Sequence, residues 1–363
     1  MKDKLFIKTA FFLIAFIVLF NPYTSLGSLT KELFYNDIIR LFAFLIVMYF
    51  LLSLFFKSFI YKLIGSFIIL VSIELLLIAL NAGTYTQSIT KKDNELGWVW
   101  KAHSSKVNKR NGEDVIVRFN SLGLRGADVT DEKLLVLGSS IVQAQQLSEN
   151  KIFTTLLNGI NAGFDGYDTY QEVTRFNRDL YKLNIKHIIL VVSPIDIIGN
   201  ANSQAKIRST LKVNRDIDQN IISDFTKKLR ILNFSKNLFL PRKKENIAVK
   251  DQWYLNVSKH VVSKSVWLEW TNEVLKLKKH FKGDISIVLS PPRSLYNDKG
   301  SSKYWINHSL QSFCNKNNMK FLDLIQYLPK EKALFLDSVH YNEEGHKLVA
   351  KIIKEQILEK EHE

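Results

Sequence analysis

The sequence is almost devoid of cysteine: Cys314 is the only one among its 363 residues. No intrachain disulfide can therefore form, even in an oxidising compartment. Internal repeats are also absent. His340 and His346 lie in one segment with no cysteine nearby, and their spacing does not make a metal-binding set. We therefore predict no metal or other cofactor, and we expect His346 to lie on the surface of a helix.

Acidic residues are under-represented, since 50 lysines and arginines face 35 aspartates and glutamates for a net charge of +15. Such an excess suits a domain that works beside anionic lipid or an anionic glycan. The basic residues are dispersed, rich in lysine and unaccompanied by a nucleic-acid-binding motif. Nucleic acid is therefore not predicted as a partner.

Long apolar runs are confined to the amino-terminal part, at 5–22, 38–56 and 59–81. Each approaches the roughly 20 residues that a helix needs to cross a bilayer. The first run could instead be a cleaved signal peptide, but Asn21-Pro22-Tyr23 lacks a small-x-small cleavage pattern and further spans follow. We predict that residues 1–82 form a membrane anchor with about three transmembrane helices.

The orientation of this anchor is predicted from the basic residues beside the apolar runs. Lysines precede the first run and lie between the second and third: Lys2, Lys4, Lys8, Lys57 and Lys62. These flanks favour the cytoplasmic side, so that three crossings of the cell (inner) membrane place the remainder of the chain outside the cytoplasm. The loop with Lys31 and Arg40 weakens this assignment. Glu74, within the third run, is either protonated or paired with another span, or it takes part in transport.

After the anchor, strand-like apolar runs alternate with helix-like segments. The runs lie at 134–138, 186–193, 284–290 and 320–324. This alternation predicts an α/β domain over 134–363, a three-layer sandwich in which helices cover a parallel sheet. Residues 83–133 are predicted to be a connector of short extended segments. A basic insertion at about 200–270 is expected to lie over the sheet edge, as a lid or acceptor-binding element or as a solvated helical cap.

Two helices of this domain have readable ends. Apolar residues recur at helical spacing between Tyr170 and Leu183, and Asp168 or Thr169 could cap the start. Near the carboxyl terminus, Asn342 is the predicted N-cap of a final helix. Its expected buried face consists of Leu348, Val349, Ile352, Ile353 and Ile357.

The first strand-like run leads into Gly138-Ser139-Ser140. A strand that ends at a sharp glycine turn and feeds a helix holds the next side chain at the carboxyl edge of the sheet, where α/β proteins place their chemistry. Ser139-Ser140 is thus a candidate nucleophile site, although such a turn could also be only a capped helix start. Asp337 precedes His340 by a spacing that lets its carboxylate reach one imidazole nitrogen while the other faces away. A general base for a serine requires that geometry.

These segments resemble the SGNH/GDSL hydrolases, in particular their membrane-anchored bacterial members. LLVLGSSIVQAQQL is similar to the first family block, INAGFDGYDTYQEVTRF to the second and DSVHYNEEGH to the last. The resemblance covers most of 94–363 and implies a flavodoxin-like sandwich with esterase activity. It implies that Ser140 attacks an ester carbonyl, that His340 takes and returns the proton, and that Asp337 holds the imidazole. The backbone N–H groups of Ser140 and Gly166 would form the oxyanion hole.

Two positions depart from the family pattern. Ser139 stands where the family has aspartate, which keeps a small hydrogen-bonding residue at the turn. Ile195 stands where the third block has asparagine, so that only Asp196 of the pair matches. Isoleucine cannot donate a hydrogen bond to an oxyanion, and losing one of several donors is expected to slow the reaction by roughly 10²–10³-fold. Ser193 or Asn200 could replace the missing donor.

The resemblance and the anchor together imply a serine esterase or O-acyltransferase that acts on acyl esters, acetyl above all, of cell-envelope carbohydrate. Ser139 and Arg293 are expected to bind the substrate, although Arg293 follows Pro291-Pro292 and could be merely exposed. One alternative is a weak or inactive domain that binds glycan or scaffolds an envelope assembly complex with a membrane protein partner. Another is hydrolysis of lipid esters.

Overall fold

A computed structural model describes residues 48, 58–79, 89–110, 113–203, 207, 247–298, 304–329 and 333–359. The chain divides into two compact units. One comprises Met1–Ser88 and Lys212–Lys244, and the other comprises Ile89–Leu211 and Glu245–Glu363. The predicted spans at 5–22 and 38–56 lie outside the described residues, except for Met48.

The first unit contains helix α1 (Phe59–Ala79), which coincides with the third predicted span. This helix exposes large apolar side chains, among them Phe59, Ile60 and Phe67. Across the ranges that the structure describes, no helix combines the length and the apolar character needed to cross a membrane.

The second unit begins with two antiparallel hairpins within the predicted connector. They pair β1 (Thr90–Asp93) with β2 (Gly97–Trp100) and β3 (Ser105–Arg110) with β4 (Glu113–Arg118). Their aromatic side chains form a small core, in which the rings of Trp100 and Phe119 stack at 4.4 Å. Phe164 and Tyr167 complete this core and stack on each other at 4.0 Å. The hairpins therefore support the loop that contains Gly166.

A five-stranded parallel sheet forms the centre of the second unit. Its strands are β5 (Leu134–Gly138), β6 (Ile160–Gly163), β7 (His187–Val192), β8 (Asp284–Leu289) and β9 (Lys320–Asp323). They lie in the order β6-β5-β7-β8-β9. Four of them confirm the predicted runs. Strand β6 was not predicted because Asn161 and Gly163 interrupt its apolar pattern.

Helices cover both faces of this sheet. They are α2 (Ser140–Gln143), α3 (Phe153–Leu156), α4 (Thr169–Arg175), α5 (Pro194–Asn200), α6 (Ile247–Lys259), α7 (Lys264–His280), α8 (Arg293–Asn297), α9 (Trp305–Lys316) and α10 (Glu343–Ile353). Successive side chains of a strand point to opposite faces. Leu135 and Leu137 accordingly pack with Trp270 of α7, whereas Leu134 and Val136 pack with Val349 of α10. The predicted α/β architecture, a parallel sheet between two helical layers, is confirmed.

The predicted helix ends are largely confirmed. Asp168 and Gln171 form a capping box at the start of α4. The helical pattern predicted up to Leu183 continues only as a π-helical turn over Phe176–Leu180. In α10, the side chain of Asn342 accepts a hydrogen bond from the Gly345 N–H at 2.9 Å, as the predicted N-cap does.

The prediction for His346 is wrong. This side chain is only 2% exposed, because α10 packs directly on α3. Its Nδ1 accepts a hydrogen bond from the Phe153 N–H at 3.2 Å, and its ring stacks on the Phe153 ring at 5.6 Å. Burial lowers the pKa of His346 to about 3, so the imidazole is neutral at physiological pH.

Candidate active site

The turn after β5 presents Ser140 at the carboxyl edge of the sheet. Gly138 has a φ of +156°, and a Cβ added there would lie 2.4 Å from Cγ2 of Val142. The chain can therefore turn this tightly only with glycine at this position. Ser140 is the first residue of α2, and Ala144 ends the helix in the left-handed region. Because β5 is flanked by β6 and β7, the side chain that follows it stands within this edge and not at its end.

The structure brings together the three side chains that the sequence singles out. Oγ of Ser140 lies 2.9 Å from Nε2 of His340. Nδ1 of the same imidazole lies 2.8 Å from Oδ2 and 2.9 Å from Oδ1 of Asp337. With Nδ1–H donating to the carboxylate, Nε2 accepts the hydrogen bond from the Ser140 hydroxyl. This is the arrangement in which imidazole can remove the serine proton.

Asp337 is held by its own loop as well as by the imidazole. Its Oδ1 accepts hydrogen bonds from the backbone N–H groups of Val339 at 3.1 Å and of His340 at 2.9 Å. Burial raises the pKa of Asp337, but the hydrogen bonds and the charge of His340, together with these backbone donors, outweigh it. The pKa of Asp337 therefore lies well below its ordinary value, and the carboxylate stays ionised at neutral pH.

A cavity of about 200 Å3 opens beside the nucleophile. Ser139, Ser140 and Gly166, three residues that the sequence analysis places at the site, are among its lining residues. Arg293, the other expected substrate contact, is not among them. Its Nε instead donates to Oδ2 of Asp251 at 3.0 Å.

Two backbone N–H groups beside the cavity, those of Ser140 and Gly166, are the candidate donors to an oxyanion. Ser140 begins a helix, where the first backbone N–H groups have no partner in the preceding turn. Gly166 lines the cavity with φ +78°, in the left-handed region that favours glycine. The apolar side chain of Ile195 lines the same cavity.

Of the two side chains considered as replacements for the missing asparagine, Ser193 lines the cavity, whereas Asn200 is not among its lining residues. Ser193 Oγ donates to Oδ2 of Asp196 at 2.8 Å. Asn200 accepts the Tyr170 N–H on its Oδ1 at 2.8 Å.

Asp196 lies beneath the cavity and was given no role from the sequence. It is 4% exposed, and its Oδ2 also accepts the Ser193 N–H at 2.7 Å. Burial raises the pKa of Asp196 to about 6, although the hydrogen bonds from Ser193 lower it. Only the packed structure shows this burial, since the same residue in an isolated helix would face water.

Arg125 is a second residue that sequence reasoning missed. It is 4% exposed, and its guanidinium donates hydrogen bonds to the backbone carbonyls of Gln143, Ala144 and Leu147. Burial lowers the pKa of Arg125 to about 10, so it remains a cation at neutral pH. This side chain therefore braces the segment that directly follows the nucleophile helix. The motif LGLRG gives no sign of such a role.

In the described part of the chain, no group of three or more His, Cys, Asp or Glu side chains is arranged to hold a metal ion. What the geometry offers is a nucleophile, a base and an orienting carboxylate beside a small cavity.

The solved structures that this chain resembles are only distantly similar to it. No protein-family model matches the sequence, and no curated protein matches it. Among solved structures, a catalytic mutant of an acetylxylan esterase from Geobacillus stearothermophilus is 13% identical and has a TM-score of 0.37, with 63% of this chain and 95% of that chain covered. A lipase/acylhydrolase from Enterococcus faecalis is 13% identical at a TM-score of 0.36, with 63% and 96% covered.

A GDSL-like lipase from Bacteroides thetaiotaomicron is 15% identical at a TM-score of 0.33, with 64% of this chain and 91% of that chain covered. Similarity of this degree does not assign the chain to a family. The chemistry proposed below rests on the arrangement of Ser140, His340 and Asp337.

Proposed function

We propose that this protein is a serine esterase or O-acyltransferase that uses Ser140, His340 and Asp337 as its catalytic residues. The observation that supports this most directly is the continuous relay of 2.9 Å from Oγ to Nε2 and 2.8 Å from Nδ1 to Oδ2. Hydroxyl, imidazole and carboxylate come from two segments far apart in sequence, yet all three are within hydrogen-bonding distance.

In the proposed mechanism, Ser140 Oγ attacks the ester carbonyl while His340 Nε2 takes its proton. Asp337 keeps Nδ1 protonated and stabilises the imidazolium that forms. The backbone N–H groups of Ser140 and Gly166 are the proposed oxyanion donors, and one such donor is commonly worth about 3 kcal/mol. The imidazolium then protonates the leaving alcohol. Water or a sugar hydroxyl attacks the acyl-enzyme, and the serine is regenerated.

The proposed acyl group is small, with acetyl as the leading candidate, and the proposed substrate is cell-envelope carbohydrate. A cavity of about 200 Å3 beside Ser140 supports a short acyl chain rather than a long one. A long-chain lipid ester is therefore the less favoured substrate.

We also propose that residues 1–82 anchor the protein in the cell membrane with its catalytic unit outside the cytoplasm. The three apolar runs and their lysine-rich flanks support this location. In a Gram-negative host, the full-length chain should stay with the membranes after carbonate extraction. Protease added to spheroplasts should digest the 134–363 region, whereas recovery in the soluble fraction or protection from the protease would contradict the proposal.

The proposed chemistry is tested by covalent labelling. A fluorophosphonate should modify Ser140, which peptide mass spectrometry would locate, and hydrolysis of 4-nitrophenyl acetate should disappear in Ser140→Ala. Ser139→Ala is the comparison variant: the Ser139 hydroxyl hydrogen-bonds to Asp196, and the hydroxyl 2.9 Å from His340 Nε2 belongs to Ser140, so the phosphonate should still modify Ser140 in this variant. A variant without Ser139 that loses all activity while Ser140→Ala retains it would mean that the wrong hydroxyl was chosen.

Ile195 favours a second candidate, a domain that keeps the fold but catalyses weakly or not at all and instead binds glycan. An apolar side chain lines the cavity at a position where the resemblance implies an oxyanion donor. Absence of a phosphonate adduct on folded protein that binds glycan would support this alternative.

A further inference from the structure

Helix α6 of the basic insertion reaches the candidate active site. Its Tyr254 lines the same cavity as Ser140, together with Val339 from the loop that precedes His340. The neighbouring Trp253 is half exposed, and its ring contacts the Tyr254 ring edge to face at 5.0 Å. An aromatic side chain from the insertion therefore forms part of the cavity wall.

Two ion pairs fasten α6 to the edge of the sheet. Near its amino end, Asp251 Oδ2 accepts a hydrogen bond from Arg293 Nε at 3.0 Å. At its carboxyl end, Lys259 Nζ lies 3.0 Å from Oδ2 of Asp298. Arg293 is the first residue of the short helix α8 and Asp298 directly follows its last, so the two pairs hold α6 along one neighbouring element. The position of Tyr254 lies between these two anchor points.

Arg293 also connects this helix to the catalytic loop. Its backbone N–H donates to the carbonyl oxygen of Ser338 at 2.8 Å. Ser338 lies directly after Asp337 and two residues before His340. The loop that carries the proposed base and the helix that carries Tyr254 are thus joined through one residue.

The charged residues that line the cavity are all acidic. Asp165, Asp168 and Asp196 line it, and none of its described lining residues is a lysine or an arginine. Lys106, outside the lining, interacts with the charge of Asp165 and offsets it in part. Carboxylates accept hydrogen bonds from hydroxyl groups and repel anions, so the cavity has the opposite polarity to the basic chain as a whole.

We propose that Tyr254 is a specificity-determining residue for the alcohol part of the ester, and that this cavity selects an uncharged, hydroxyl-rich alcohol such as a neutral sugar over an anionic one. The inference rests on the esterase function proposed above. The aromatic ring packs against the apolar C–H face of the sugar, and the carboxylates accept its hydroxyl hydrogens. An acidic glycan, which the net charge of the chain first suggests, is disfavoured at the reacting ester.

The test uses two acetyl esters that differ in one group. Methyl 4-O-acetylglucopyranoside and methyl 4-O-acetylglucuronopyranoside differ only in a hydroxymethyl or a carboxylate at C6, and 4-nitrophenyl acetate serves as a reference without sugar hydroxyls. The full-length protein should have a kcat/KM at least tenfold higher for the glucoside than for the glucuronide. Equal values for the two sugars would overturn the proposed selection.

Substitutions then test the role of the tyrosine. Tyr254→Ala should lower kcat/KM for the glucoside at least tenfold more than for 4-nitrophenyl acetate, mainly through KM, whereas Tyr254→Phe should stay within threefold of the wild type on the glucoside. Asp251→Asn should weaken glucoside turnover in the same direction by a smaller factor. Tyr181→Ala removes an exposed tyrosine that does not line the cavity and should change neither value.

The outcomes separate the two proposals. Hydrolysis of none of the three esters, with no phosphonate adduct, would mean that the esterase proposal itself is wrong. If all three esters are hydrolysed and Tyr254→Ala keeps the wild-type ratio of kcat/KM between the glucoside and 4-nitrophenyl acetate, only the role of Tyr254 would be overturned. A Phe variant as impaired as the Ala variant would contradict packing of the ring as the source of selectivity.

Discussion

Substitutions of Asp337 can distinguish its role in orienting His340 from its role in stabilising the loop, because one carboxylate serves both purposes. Its Oδ1 accepts two backbone N–H groups of its own loop, and both oxygens lie within 2.9 Å of His340 Nδ1. Asp337→Asn keeps one oxygen as acceptor for the loop. It places an amide N–H where the imidazole needs an acceptor, so that Nδ1 loses its proton and Nε2 becomes the donor.

The two substitutions differ in their expected cost. Asp337→Ala removes the acceptor of three hydrogen bonds at about 1 kcal/mol each, so the free energy of unfolding should fall by about 2–3 kcal/mol. At about 2–4 °C per kcal/mol for a unit of this size, the Tm should drop by about 5–10 °C. Asp337→Asn should lose less than about 1 kcal/mol, since the loop contacts survive. Both variants should lose about 10³–10⁴-fold in kcat.

The pH dependence provides a further check. Because the pKa of Asp337 is lowered on folding, its contribution to stability is present above the unfolded pKa of about 4 and is lost as the pH falls below it. The difference in unfolding free energy between the wild type and Asp337→Ala should therefore shrink in acid. Urea unfolding at several pH values, with 4-nitrophenyl acetate turnover at pH 7, measures both effects.

Asp131→Asn is the matched control, since the Asp131 carboxylate is exposed and forms an ion pair with Lys133 away from the site. It should leave Tm and turnover unchanged. Retention of more than a tenth of the wild-type kcat by Asp337→Asn would refute the reasoning, because another group would then orient His340.

Three further predictions follow from the surroundings of the nucleophile. Ile195→Asn should raise kcat for 4-nitrophenyl acetate, by up to about 10²-fold, if an oxyanion donor limits the rate, whereas Ile195→Val should not. Folding raises the pKa of Asp196 to about 6, so the charged carboxylate destabilises the fold increasingly as the pH rises from about 4 to 6. Over that pH range, the unfolding free energy of Asp196→Asn, measured in urea, should rise by on the order of 2–3 kcal/mol relative to that of the wild type. In Gly163→Ala, the added Cβ would lie 2.2 Å from the Gln143 nitrogen, so displacement of the nucleophile helix should lower both Tm and turnover, and unchanged turnover would show that the helix can shift without harm.

The hydrophobic pattern identified most of the sheet because buried strands repeat the same apolar residue types. β5, β7 and β8 lie in the interior of the sheet, are buried on both faces and read as continuous apolar runs. β6 lies at the edge of the sheet and contains Asn161. The Asn161 side chain donates a hydrogen bond to Val142 O at 2.8 Å, so a tertiary contact accounts for this polar residue in the strand. The residues next to Asn161 in the sequence do not predict that contact.

The surroundings of His346 and Arg293 could likewise not be predicted from the sequence. His346 lies between Glu343-Glu344-Gly345 and Lys347 and was predicted to be on the surface of a helix, but its partner Phe153 comes from a distant segment. The sequence predicts an exposed cation at Arg293, after two prolines, but the Arg293 guanidinium donates a hydrogen bond to Asp251 of the insertion. In both cases the deciding neighbour is far away along the chain.

The order of residues by itself determined which local structures form and which side chains carry chemistry: a glycine turn that exposes Ser140, and a loop in which Asp337 can reach His340. Those features depend on neighbours a few positions away, where backbone sterics and short hydrogen bonds act. Only the tertiary structure decided that Ser140 and His340 lie 2.9 Å apart, that Asp196 is buried beneath them, and that Tyr254 lines their cavity. Burial, and with it the pKa of a carboxyl group or the polarity of a cavity, is a property of surfaces that come together only on folding.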